Sequence, residues 1–407
     1  MAWVSNRLCT KSLSLVALGA YGLVPVTYAQ EPETVEHQAL RPSIFAELRY
    51  DDNIFRSAVD ELASLVTILS PGVLAVMKPG RHRLQLGYRG EFGTYAQSSA
   101  DNYDDHEIQA AALLELGRRG LLDLSVSFED GHEQRGTGLS EGLGTDPGTF
   151  LSEPDEFNQA QFVSRFTYGA TGTKGRLVFD AGRRELEYSN NRERTRFFDY
   201  DHTYGGTTFY FRVMPSTSLL FGVQADDFDY KVDRGLQPSL DSREHRVDFG
   251  ATWEITGKST GTVRSGYIDK TYDDGARPGF SGPNWSADVR WSLRSDSHLD
   301  FATSRYPSEI TSFTGDVIDN TKYSVAWNHR WTGRIITRLS ALQSRQEFRG
   351  AVEARTDTFN QHGLALLYGM RRWLEWEFAL SIGSQDSNID RFDFDLNVVS
   401  LRANMTF

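Results

Sequence analysis

Three consecutive residues, Asp51-Asp52-Asn53, present hard oxygen atoms of the kind that hold a divalent cation. A similar group follows at Asp101, Asn102, Asp104 and Asp105. Neither has the spacing of an EF-hand loop. Aspartate and asparagine also stop strands and cap turns, so turn chemistry is the expected role and no resident metal or cofactor is expected. His329 has serines nearby in sequence, but nothing marks a nucleophile with a base and an orienting group. No Gly-rich phosphate loop, zinc-binding spacing or glycosidase signature stands out, and no catalysis is expected.

The remaining candidates are charges at alternating positions, and their meaning depends on the elements that carry them. Residues 285–293 put Trp285, Ala287, Val289, Trp291 and Leu293 on one face, with Ser286, Asp288, Arg290 and Ser292 on the other. Residues 247–255 and 374–382 repeat the pattern, as do the last residues, where Val399, Leu401, Ala403 and Met405 alternate with Ser400, Arg402, Asn404 and Thr406. A period of two is a strand with one apolar and one polar face. Eighteen strands are expected (sixteen as the alternative): 42–51, 63–77, 82–96, 105–117, 120–130, 157–169, 175–188, 200–213, 218–230, 243–255, 261–272, 284–294, 299–309, 320–331, 334–347, 357–369, 373–384 and 393–407. The alternation is poorer around 177–188 and 392–396.

The connections alternate as well. Tight turns such as Pro79-Gly80, Arg119-Gly120 and Arg371-Arg372 take turns with longer polar loops, the longest being Gly131 to Glu156. Short periplasmic turns and long external loops are the signature of an outer-membrane barrel. The expected fold is therefore all-β: a closed antiparallel transmembrane barrel over 42–407, with a short periplasmic segment at 30–41. Closure also removes the sheet edges that an open arrangement would expose. The long loop either narrows the pore or lies as a surface loop.

In this register Arg83, Arg89, Glu91, Arg165, Arg212, Arg246, Asp248, Arg264, Asp288, Arg290, Arg330, Arg338, Glu375 and Glu377 face the lumen. The two signs nearly balance, unlike a basic tunnel built to draw a polyanion. Interior charge ladders also fix register. Tyr95 and Tyr210 share the polar face and are candidates to stack on sugar rings. Tyr168, Trp253, Trp291, Trp331, Tyr368, Trp376 and Phe407 fall outward near the turn end, the level of a headgroup girdle.

The ends and the composition agree. Arg7 and Lys11 precede an apolar stretch, Ser12 to Leu23, and Thr27-Tyr28-Ala29 offers small residues for cleavage, so 1–29 reads as a signal peptide. The one cysteine, Cys9, would leave with it. Formal net charge is −12, which argues against nucleic acid as a partner. Nothing in the pattern specifies an oligomeric state.

The run Tyr50-Asp51-Asp52-Asn53-Ile54-Phe55 resembles the early strand of the family called putative β-barrel porin 2. Those barrels are associated with exopolysaccharide or capsule gene clusters. Terminal Phe407 resembles the closing residue read by the outer-membrane assembly machinery. The resemblance implies an outer-membrane channel for export of a surface or extracellular polysaccharide. Lipid, lipopolysaccharide, the assembly machinery, polysaccharide and periplasmic export proteins are the implied partners. An uptake porin for small solutes such as oligosaccharides, and a non-conducting scaffold barrel, are the alternatives.

Overall fold

The computed structural model describes residues 38–142, 151–170, 172–233, 235, 238–255, 258–310, 315–350 and 354–407. The expected signal peptide, most of the 30–41 segment and the middle of the long loop lie outside them. Eighteen strands follow one another: β1 (Gln38–Asp51), β2 (Ser64–Met77), β3 (Arg83–Tyr95), β4 (Tyr103–Leu116), β5 (Gly120–Glu133), β6 (Asp155–Tyr168), β7 (Gly175–Tyr188), β8 (Tyr200–Met214), β9 (Thr217–Tyr230), β10 (Ser242–Ile255), β11 (Ser259–Tyr272), β12 (Phe280–Arg294), β13 (Ser297–Ser308), β14 (Val317–Arg330), β15 (Ile335–Arg349), β16 (Arg355–Arg371), β17 (Leu374–Ser387) and β18 (Phe394–Thr406). Each pairs antiparallel with its sequence neighbours. β1 pairs with both β2 and β18, through Leu48↔Thr67 and Leu48↔Leu401, and so closes the barrel. β1 begins at Gln38, four residues before the expected start at Pro42.

Most strands are longer than the roughly 9–11 residues that cross a bilayer at a tilt. The surplus lies at the long-loop end, and the outward face shows where the bilayer stops. On β9 the outward residues run Leu219, Phe221, Val223, Ala225 and then Asp227, Asp229. On β18 Val399, Leu401, Ala403 and Met405 give way upward to Asp395 and Asn397. β7 changes from Leu177 and Phe179 to Arg183, Glu185 and Glu187. An apolar band thus surrounds the turn-side part of the barrel, and a charged collar rises above it. By the loop asymmetry the collar is external and the short turns are periplasmic.

Above the band the inner face inverts too. Phe394, Leu396 and Val398 point inward and are buried, although the same parity lower on β18 carries Ser400, Arg402 and Asn404. Leu186 and Tyr188 do the same on β7. These are the two segments of poor alternation. Their backbone is regular, so no bulge or slipped register is involved. What changes is the solvent on each side of the sheet. Leu186, Tyr188, Phe198, Tyr230, Leu240, Tyr272, Ile310, Ile318 and Phe348 form the largest apolar cluster, with Leu139 from the long loop. The core therefore sits inside the external mouth.

Candidate functional site: a charged lumen under an ordered mouth

Arg83, Arg89 and Glu91 on β3, Arg165 on β6, Arg212 on β8, Arg246 and Asp248 on β10, and Arg264 on β11 stand on the inner parity of their strands. So do Asp288 and Arg290 on β12, Arg330 on β14, Arg338 on β15, and Glu375 and Glu377 on β17. Many are joined across strands. Arg89 meets Glu107 at 3.1 Å and Arg165 meets Asp180 at 2.5 Å. Arg290 grips Asp300 with two nitrogens, at 2.6 and 3.0 Å. Arg402 bridges Glu377 at 2.7 Å and Glu47 at 3.1 Å. Arg246 lies 3.2 Å from Asp248, which also accepts from Asn284 at 2.7 Å. Several of these pairs remain wet: the Arg290 side chain is 52% exposed and Arg89 41%.

Toward the mouth the charges are sealed. Lys270 is 1% exposed, bound to Glu309, and its ammonium lies 4.3 Å from the Phe228 ring centroid. Tyr230 donates to the same Glu309 at 2.7 Å. Asp51 accepts from Arg56 at 2.8 and 2.9 Å, and Asn53 donates to the backbone of Ser57 and Asp395. Asp52 accepts from the backbone and side chain of Asn397, each at 2.7 Å. All three candidate ligand residues thus hold the chain itself. Asp101 likewise binds Arg135. Among the described residues no group of three or more His, Cys, Asp or Glu converges on a metal position.

The long loop crosses this mouth. Arg135 stacks 4.5 Å from the Phe55 ring, and Gln134 donates to Ile54 O. Gly136 has a φ of +83°, and a Cβ there would fall 1.7 Å from Phe55 O, so only glycine fits this approach. Leu139 enters the apolar cluster, and its carbonyl accepts from Arg194 at 2.7 Å. Glu141 then reaches Arg355 at 2.8 Å. The Arg355 guanidinium is sandwiched between Phe392, 3.3 Å away, and Phe348, 4.1 Å away, and it also binds Asp357. The loop is tied to widely separated strands around the rim, so it lies over the lumen. Burial pushes Arg56 down to about 9 and raises Glu141 above its ordinary range, although Arg355 opposes the latter shift.

Tyr95 is buried against Ile54 and Phe55, which removes it from any solute path. Tyr210 faces the lumen on β8. Of the expected girdle, Tyr168, Trp291, Tyr368, Trp376 and Phe407 are exposed at the turn end. Trp331 lies just past β14, in a turn, and Trp253 is half-buried with its indole donating to Ser259 at 2.8 Å. Phe407 stacks on Trp373, 5.9 Å between centroids, and its amide donates to Pro42 O at 3.0 Å. His329 packs between Trp327 and Trp331 and belongs to this belt. Trp327, Trp373 and the mouth residues Arg56, Arg135, Arg194, Lys270 and Arg355 were not among the sequence candidates. The inverted alternation at 186–188 and 394–398 was the available signal for the mouth.

A closed barrel with an apolar outer band, a charged lumen and long loops at one end defines an outer-membrane, porin-like channel protein. The family described as "Putative beta-barrel porin 2" matches residues 37–407, and the chain belongs to it. Among solved structures, the outer membrane protein OpdK from Pseudomonas aeruginosa aligns over 91% of this chain and 99% of its own, at 13% identity and a TM-score of 0.53. The structure of OpdK with vanillate aligns over 90% and 99%, at 13% identity and 0.52. At that identity the likeness concerns the fold. No curated protein sequence matches the chain.

Proposed function

We propose that this protein is a diffusion channel for small hydrophilic solutes across the outer membrane, with an external mouth narrowed by its own loop. The observation that carries this reading is the contrast within the lumen. Wet, paired charges line the membrane-level wall, whereas the mouth above is narrowed by loop residues tied to buried pairs such as Arg355 with Asp357. A polar wall supplies a path that costs a hydrated solute little, and a narrowed mouth sets a size limit. The likeness to a barrel solved with vanillate is consistent with traffic in small molecules.

Export of a polysaccharide, implied by the family resemblance, gains nothing from this geometry. A polymer would need Arg135, Leu139 and Glu141 lifted off Phe55, Arg194 and Arg355. The test is conductance of the purified protein in planar bilayers, together with swelling of proteoliposomes in sugars of graded size. The reading requires KCl conductance and entry of monosaccharides with exclusion of long oligosaccharides. Absence of both would overturn it. Unhindered entry of long oligosaccharides would favour a polymer conduit instead.

A further inference from the structure

Some lumenal arginines are paired with carboxylates and others are not. Arg89, Arg165, Arg246, Arg290 and Arg402 each have a carboxylate within 3.2 Å. Arg176, Arg212 and Arg264 have none at ion-pair distance among the described residues. Two of them, Arg176 and Arg264, meet one aromatic ring, Tyr210.

Arg176, Tyr210, Leu220, Gly250 and Arg264 form a single cross-strand row over β7 to β11. Strand parity turns all five inward. Arg176 lies against Tyr210 with 4.4 Å from its guanidinium carbon to the ring centroid. Arg264, from the other side, donates to the Tyr210 hydroxyl at 3.2 Å. It spans two strands to do so and passes Gly222, where a Cβ would lie 3.7 Å from its Nη1. Arg212 is the next inward residue on β8. Of the acids near Arg264 along this wall, Asp248 is held by Asn284 and Arg246, and Asp288 is the next inward residue on β12 after Ser286, the partner of Arg264. The Arg176 Nε is buried and has no acceptor among the described residues.

Arg176 and Arg264 bring two guanidinium groups to one ring with no carboxylate at ion-pair distance among the described residues, and like charges repel. A buried donor without an acceptor is costly as well. Such an arrangement is stable in function when an anion visits it, and the planar fork of arginine matches the two oxygens of a carboxylate. We infer that the Arg176–Tyr210–Arg264 patch is a binding site in the lumen for the carboxylate of a small solute. The inference deepens the channel reading and rests on it for the word solute. Binding itself does not require conduction.

Sodium glucuronate is the probe, with glucose as the uncharged comparison. Two readouts are taken on the full chain. One is interruption of KCl current in planar bilayers. The other is calorimetric titration of the detergent-solubilised protein. The variants are Arg176→Gln, Arg264→Gln and Arg264→Lys, with Lys231→Gln on the outer collar as the control. Heat-modifiable migration and far-ultraviolet circular dichroism confirm that each variant is folded.

Wild type should bind glucuronate and ignore glucose. Each Gln variant should weaken glucuronate about tenfold, the loss of one charge-assisted hydrogen bond. Arg264→Lys should lose less, because the charge stays while the fork is gone. Equal glucuronate affinity in wild type and both folded Gln variants would overturn the site. So would the absence of glucuronate binding in a wild type that conducts KCl, which leaves the channel reading standing. Arginine-dependent titration without any KCl conductance would keep the site and remove the channel.

Discussion

β18 carries its apolar residues on opposite faces in its two halves. Between Val399 and Met405 its apolar residues point out toward lipid, and between Phe394 and Val398 they point in toward the mouth. β7 and β9 change over at the same level, so the chain has two regions with reversed polarity. In the membrane-level barrel the outside is hydrocarbon and the inside is water. In the mouth the outside is water and the inside is the chain's own loops. An alternating strand reports that its two sides differ in polarity; it does not report which side is which. The charges follow the same division. Arg290 and Asp300 stay wet, whereas Arg355 lies against Phe348 and Phe392 and holds Asp357 in a buried pair.

Arg355→Ala should separate the two regions most strongly. It strips a buried partner from Asp357 and Glu141, a loss of ~3–5 kcal/mol for breaking a buried pair. Hydrogen exchange over residues 134–142 and the frequency of channel opening should both rise, while the membrane-level strands stay protected. Unchanged exchange in the loop would refute the mouth as a tied structure.

The next comparison is on the outer face. Phe221 lies within the apolar band and Asp227 on the collar, six residues apart on β9. Phe221→Arg should destabilise the barrel by ~2–4 kcal/mol, the cost of a cation near the bilayer midplane. Asp227→Arg should stay within about 0.5 kcal/mol, as an exposed substitution does. Urea unfolding in lipid vesicles measures both. Equal effects would mean that the band does not end between them.

Arg290→Ala removes a wet pair, and the stability lost should be only ~0.2–1 kcal/mol. Its larger consequence should be a shift of the reversal potential toward cation selectivity, since Asp300 is left without its arginine partner. The smallest effect expected is pH-dependent. The raised Glu141 carboxyl means that the closed mouth holds its proton more tightly than an opened one. Its contribution to closure is fully present below the ordinary glutamate range and is lost as pH rises through the raised value. Opening should therefore become more frequent with rising pH, and Glu141→Gln should flatten that part of the profile.

Much of this architecture was legible in the sequence. Eighteen strands, their order and the long-short connections follow from a period of two and from turn residues, which are local properties. The lumenal parity of Arg89, Arg165 and Arg290 follows from the same period. The mouth was not legible in this way. Asp51, Asp52 and Asn53 read as ligands or turn residues, and which partners they have depends on Arg56, Asn397 and Asp395. Tyr95 and Tyr210 share the polar pattern, yet one is buried under a loop and the other faces the lumen. The sequence by itself determined the sheet, because side chains alternate along a strand wherever it lies. Closure of β1 on β18 and the passage of the long loop across the mouth decided the rest. They set which face meets water, and so whether a given arginine is a wet lumenal charge, a buried tie or part of an unneutralised patch.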